Sequence, residues 1–539
     1  MANNGSPRGI LIFCVLSLWT CWAAADNSTS MFIPTPDHQF PLSTKGDEFS
    51  SGSPYSHYLK FSTKVELQKR LSPKASIFLE GEEGFLALDA RYTNYKRPEY
   101  IAAVQVAEEQ DVIETVNYAR ARGLQFAARA GGHSLTSSLR RIKSAIAIDM
   151  RNLNHVKFDE KTRQMTVGGG IMTGQFANAT HSKGMEVTVG SCPCTGVMGI
   201  SLGAGIGRLQ GKYGYLHDNM VSARLLLGNG TVIKVSEDTN PDLFWAVRGA
   251  GHNFGIVLEA TFQVYPQLNH GQHFVVDFEF ELDKVDEIFE ALNSLADSMP
   301  KEVAVFVIGR RQGSNGKPTI NINLVYSGPE KDSAPFIKPF DAISPVWKDT
   351  KMATWDALPW TTYNGLNNVL CTSQGWAKYP IKNFYGANVK SYDIETMRSY
   401  VHEWRDMNAK YNGEAIFSFM FESFSQQRVR EIAEDTTAYP WRHGSQHFLM
   451  IEGAYKSPVD EDLIDQWLSQ QQDKFIETSG YGRLQQYVNY GHGSKDPPEA
   501  LYGYEPWRLE KLRRLKHEYD PEGRFNGYQP LLEEAELDG

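Results

Sequence analysis

The chain has 539 residues, too many for one ordinary hydrophobic core and enough for two or three structural units. With 41% hydrophobic residues and 46 glycines it reads as globular, neither disordered nor fibrous. A net charge of −10 argues against a nucleic-acid partner, since phosphate binding needs a basic face.

In chain order, Pro7 to Ala25 carries one positive charge, Arg8, and then an apolar run closed by Ala23, Ala24 and Ala25. That is the pattern of a secretory signal peptide over residues 1–25. A membrane anchor is the competing reading, but the run is short and small residues end it. No later segment holds about 18 uninterrupted apolar residues. The expectation is a secreted chain, or one delivered to a secretory-pathway compartment, with no membrane contact after signal removal. The sequons at Asn27, Asn178 and Asn229 fit that route, though such triplets also arise by chance. Cys14 and Cys21 leave with the signal, so Cys192, Cys194 and Cys371 remain. An odd number leaves at least one thiol unpaired, and no disulfide framework is expected. No metal is expected: Cys192-Pro193-Cys194 is C-x-C rather than C-x-x-C, and no HExxH occurs.

Residues 26–94 are a lead-in with Pro, Ser and Gly clusters. "EQDVIETVNYARARG" then predicts an amphipathic helix with Val112, Ile113, Val116 and Ala119 on one side and Gly123 as its stop. "LQFAARA", "AIAIDM" and "QMTVGGG" read as strands, and "MTGQFANATHSKG" as a helix. "ARLLLGNGTVIKV" predicts a hairpin turning at Asn229-Gly230. Helices and strands thus alternate over 95–266, as an α/β domain requires. From 267 to 480 the segments "HFVVDFEFEL", "VAVFVIGRR" and "TININLVYS" predict a large antiparallel sheet with helices on one face. Residues 481–539 contain a closing helix with Leu509, Leu512 and Leu515 at helical spacing.

Four glycine clusters fall within the α/β region: Gly131-Gly132, Gly168 to Gly170, Gly199 to Gly207 and Gly249 to Gly255. Each alone is an ordinary tight turn. Together they favour a dinucleotide cradled by backbone N–H groups, which suits an acidic protein. "GAGHNFG" does not follow the Rossmann spacing G-x-G-x-x-G, and it follows a helix where the fingerprint follows a strand, so that fold is rejected.

The motifs "RAGGHS", "GSCPCTGVMGISLGAGIGRLQGKYGYLHDN", "DLFWAVRGAGHNFGIV" and "YVNYGHG" resemble those of the berberine bridge enzyme-like flavoprotein oxidases. These belong to the vanillyl-alcohol oxidase and p-cresol methylhydroxylase superfamily, and the shorter "GHG" turn resembles its fungal members. The resemblance implies an α+β fold of two domains: an α/β FAD-binding domain of PCMH type, a substrate domain on an antiparallel sheet covered by helices, and a C-terminal segment returning to the FAD domain. It implies FAD attached covalently through His133 to the 8α carbon and through Cys192 to ring carbon C6. Cys194 as the second link, or attachment through His133 alone, stay open. It further implies a cofactor site of Arg129, Gly131, Gly132, Ser134, Thr195, Gly196, Gly199, Gly203, Gly205, Asn219, Gly255, Val257 and Asn489. Thr195 stands where the family usually has a small or branched aliphatic residue beside the ring. Its valine-like shape is read as admitting dioxygen, although its hydroxyl departs from that pattern. Tyr487 or Tyr490 would serve as catalytic base, with Tyr487 slightly favoured. Glu434 is weighed for the same role and read as a solvated surface residue.

The expected activity is that of a secreted oxidase taking hydride from a small secondary-metabolite substrate and returning it to dioxygen as peroxide. Carbohydrate oxidation and a non-catalytic flavin-fold binder are the alternatives. Trp355, Trp360, Tyr363 and Trp376 are candidates to stack on substrate, or equally to be core.

Overall fold

The computed structural model describes residues 54–532 except 314–315, 444–446, 458–459 and 494. The signal segment and Asn27 lie outside the described residues. Three principal sheets organise the chain. In the first, Ser76–Leu79 pairs antiparallel with Tyr100–Gln105, which runs parallel to Ala145–Asp149, itself parallel to Phe126–Arg129. The end of the lead-in therefore supplies an edge strand to this sheet. The predicted helix forms as Glu109–Ala121 and buries Val112, Val116 and Ala119 against Ile146 and Ile148. Its start is secured by Asp111, whose carboxylate accepts from the backbone N–H groups of Ser72, Ala107 and Glu108. A cap of this kind contributes about 1 kcal/mol.

The second sheet is antiparallel, in the order Val156–Asp159, Gln164–Gly168, Ile256–Gln263, Met220–Leu226, Val232–Ser236. The hairpin is present, but its turn is longer than the expected Asn229-Gly230. The register pairs Leu226 with Val232, and Gly230 N–H donates to the Leu227 carbonyl, so Gly228 and Asn229 form the bend. Asn178 and Asn229 are both exposed.

The third sheet has seven antiparallel strands: Trp347–Thr354, Gln272–Glu281, Thr319–Tyr326, Val303–Arg310, Ala415–Phe424, His447–Tyr455 and Ile381–Val389, in that spatial order. Helices Val285–Ser298, Ile394–Tyr411 and Glu461–Thr478 cover one face, packing Phe289, Trp404 and Leu468 into a core with Phe417, Phe419 and Phe421. Strand alternation sends Ile416, Ser418, Met420 and Glu422 to the opposite face, where they roof a cavity.

The last described segment returns to the second sheet. Helix Pro506–Tyr519 buries Leu509, Leu512 and Leu515 in a core shared with Leu243 and Phe244. The buried Lys516 ammonium ties this helix to the Asn253 and Phe525 carbonyls and to Asp520. From His57 onward the chain forms one compact unit. No described helix is long and apolar enough to cross a membrane.

Candidate functional site

A cavity of about 860 Å³ lies between the first two sheets and the roof sheet. It is at the upper end of the range for ligand sites, about 300–1,000 Å³. Arg129, Gly131, Gly132, His133, Ser134, Cys192, Thr195, Gly196, Gly199, Gly255, Val257, Tyr487, Asn489 and Tyr490 all line it. Three expected residues do not. Gly203 packs beneath Asn489, where a Cβ would come within 2.4 Å of the Asn489 Oδ1, and Gly205 packs on Leu216. Asn219 is turned inward: its amide donates to the Tyr213 and Tyr215 carbonyls and its oxygen accepts from Tyr265. The motif around Asn219 serves loop packing, which its sequence does not distinguish from ligand contact.

One end of the cavity is built by two loops in direct contact. A Cβ on Gly131 would sit 2.6 Å from the Cys194 carbonyl oxygen, so only glycine lets the loops meet. This contact brings the His133 ring nitrogen and the sulfurs of Cys192 and Cys194 within 4.8 Å of one another. Cys194 is bonded to Cys371, which leaves Cys192 as the free thiol. The Cys192 Sγ lies 3.3 Å from that of Cys194 and 3.7 Å from that of Cys371. The disulfide fastens the Cys192–Cys194 loop to the segment 371–378, which carries Trp376.

His133 stacks on Tyr92, with centroids 4.7 Å apart, and meets the edge of Trp376 at 5.1 Å. Burial drives its pKa down to about 3, helped by Lys382 and Arg129, so the imidazole is neutral. Burial also pushes the Cys192 thiol up to about 11. The His133 Nε2, Ser134 Oγ and Arg129 Nε are buried without a protein hydrogen-bond partner. A neutral, unpartnered imidazole beside a single free thiol, on a glycine-rich floor, fits the FAD attachment that the motif implied. The Thr195 hydroxyl is engaged by the Cys192 carbonyl at 2.9 Å and by the Thr173 hydroxyl at 2.9 Å.

The other end separates the two tyrosines. The Tyr487 oxygen accepts from Asn489 Nδ2 at 2.7 Å and from Gly205 N–H at 3.3 Å, and Ile206 N–H also donates to it. The Tyr490 hydroxyl donates to the Glu422 carboxylate at 3.1 Å. Burial raises the Glu422 carboxyl to about 8, against the opposing pull of the Tyr490 hydrogen bond and Arg208. Glu422 was not among the sequence candidates. Its signal is a lone carboxylate on the cavity-facing alternation of an apolar strand, "AIFSFMFESF". Of the aromatic candidates, Tyr363 lines the cavity and holds the buried Arg208 guanidinium, while Trp376 meets His133 edge-on from behind the lining. Trp355 is core and Trp360 is exposed. Glu434 is exposed.

Comparison with known proteins agrees with this geometry. Residues 100–236 match the FAD binding domain family. The chain is 47% identical to the FAD-linked oxidoreductase alt4 of Alternaria solani, over 87% of this chain and 96% of that relative. In structure it is similar to Physcomitrella patens BBE-like 1, with TM-score 0.74 and 21% identity over 87% of this chain and 99% of the other. It is also similar to a carbohydrate oxidase from Microdochium nivale, with TM-score 0.70 and 20% identity over 87% and 99%. The chain belongs to the FAD-linked oxidoreductases, and its fold is that of the berberine bridge enzyme-like flavoproteins.

Proposed function

We propose that the protein is a secreted oxidase with covalently held FAD, acting on a C–OH, or alternatively a C–H or C–N, centre of a small secondary metabolite. The observation that carries this reading is the placement of Tyr490 and Glu422 in the same cavity as His133 and Cys192. His133 would hold the ring at its 8α carbon and Cys192 at C6; the Cys194–Cys371 disulfide supports Cys192 over Cys194. Bound FAD supplies the hydride acceptor and passes the electron pair to dioxygen, giving hydrogen peroxide.

The protein's part is the proton. Tyr490 takes it from the substrate hydroxyl while giving its own to the Glu422 carboxylate. A phenol ordinarily titrates near 10, so it needs a partner that accepts its proton, and Glu422 is within reach. A carboxyl raised to about 8 is a well-matched acceptor at neutral pH, because proton transfer is most efficient when the pKa lies near the working pH. Tyr487, surrounded by three N–H donors, positions Asn489 and the Gly205 loop.

Purified holoprotein should stay yellow in the pellet after acid precipitation. It should bleach under argon with an aromatic or polyketide alcohol, and release peroxide in air. Yellow protein that no alcohol or sugar bleaches would leave only ligand binding, and turnover confined to oligosaccharides would move the reading to a carbohydrate oxidase.

A further inference from the structure

The cavity roof carries a second carboxylate, half-buried at the cavity wall, that proton transfer does not use. Glu452 lies opposite Ser418 in strand register, and the Ser418 hydroxyl donates to it at 2.6 Å. Both residues line the cavity. A carboxylate accepts about four hydrogen bonds, and Ser418 supplies one. Neighbouring Lys382 directs its ammonium to the Tyr92 carbonyl at 2.6 Å and the Trp376 carbonyl at 3.3 Å, with no direct bond to Glu452. Its charge still acts on Glu452 and opposes the effect of burial, which pushes that carboxyl up.

Ser418 and Glu422 lie on the same face of one strand, four residues apart, or about 14 Å at ~3.4 Å per residue. Between them the roof presents Met420 and Met450, paired in register, with Phe384 beside Glu452. The roof thus has two polar poles and an apolar middle. A sugar chain needs hydrogen-bond partners along its whole rim; thioethers and a phenyl ring suit a flat hydrophobic body.

We propose that Glu452 is a specificity-determining residue, and that the substrate is an elongated aromatic or polycyclic alcohol with a hydroxyl at its far end. The reacting alcohol sits at Tyr490 and Glu422, the body lies under Met420, Met450 and Phe384, and the remote hydroxyl donates to Glu452. Because Lys382 already supplies a positive charge, a neutral donor fits better than a cation. This inference rests on the reading that Tyr490 and Glu422 mark the reacting end.

Two probes test it on the FAD-loaded enzyme under argon: a biphenyl methanol with a para-hydroxyl on its far ring, and the same alcohol without it. Affinity is read from the change in flavin absorbance, and turnover separately from peroxide release in air. The hydroxylated probe should bind about 10- to 100-fold tighter, the range for one hydrogen bond to a charged group. Glu452→Leu should bring that ratio close to one without weakening the plain alcohol or lowering flavin content. Glu422→Gln should lower turnover by about 10²- to 10⁴-fold and keep the ratio. If Glu452→Leu does not fold, Glu452→Gln and Ser418→Ala should each shrink the ratio severalfold. Equal affinities in the unaltered enzyme, no binding of either probe at millimolar concentration, or a ratio that survives loss of Glu452 would overturn the proposal. A clear ratio without bleaching by any alcohol would sink the redox reading alone, whereas bleaching with a ratio of one would sink this inference alone.

Discussion

At both ends of the cavity burial shifts the titratable groups, yet the shift has a different consequence at each. Near His133, burial holds the imidazole at about 3 and the Cys192 thiol at about 11, so both groups are neutral. Near Tyr490, the same desolvation lifts Glu422 to about 8, where the carboxyl titrates in the working range. Burial always disfavours the charged form. For His133 this means constant neutrality, as the proposed flavin link would need; for Glu422 it means a pKa in the range that the proposed proton transfer would use. One cavity therefore holds both a group kept neutral and a group poised to titrate.

The sharpest way to break this contrast is Glu422→Gln. It should lower kcat by about 10²- to 10⁴-fold, the usual range for a lost general base, with flavin content unchanged. The sign of the pH effect follows from the direction of the shift. The ionised carboxyl accepts the proton, so kcat/KM should climb with pH through about 8 and then level off, and this limb should vanish in the glutamine variant. Tyr490→Phe should follow at about 10²-fold. Tyr487→Phe should instead cost stability, about 1–3 kcal/mol by thermal melting, because the donors on Gly205, Ile206 and Asn489 lose their acceptor. The reverse outcome would return the base role to Tyr487.

At the His133 end, Cys371→Ser should destabilise by about 2–5 kcal/mol. Hydrogen exchange should rise over residues 367–378, because the bond that holds this segment to the Cys192–Cys194 loop is gone. The Cys192 adduct mass should persist. Thr195→Val should have the smallest effect, about 1 kcal/mol, from losing its bonds to Thr173 and the Cys192 carbonyl. Peroxide formation should continue, since the threonine hydroxyl is engaged within the protein.

The meeting of the His133 and Cys192 loops was legible because its parts are local. Each sits in a contiguous motif, and the resemblance assigned both to one cofactor. The helix Glu109–Ala121 and the alternating roof strands were legible for a related reason: a period of 3.6 or 2 is a property of neighbouring residues. Glu422 escaped because its partner Tyr490 is 68 positions away, and nothing within its own strand says which face meets a cavity. Asn219 was expected at the cofactor and sits in loop packing, because a motif does not tell a ligand contact from a loop cap. The hairpin was found but its bend was not, because Gly228 and Asn229 compete with Asn229 and Gly230 for the same turn.

By itself, the sequence determined the cofactor class, the fold class and the side chains available for chemistry, since each is written in short-range patterns. Tertiary structure alone decided which cysteine stays free, which tyrosine meets a carboxylate and which strand face becomes the roof. The disulfide closes over a separation of 177 residues. Choices of that kind depend on packing between distant segments, and they set the surroundings that distinguish Tyr487, ringed by N–H donors, from Tyr490, paired with a carboxylate.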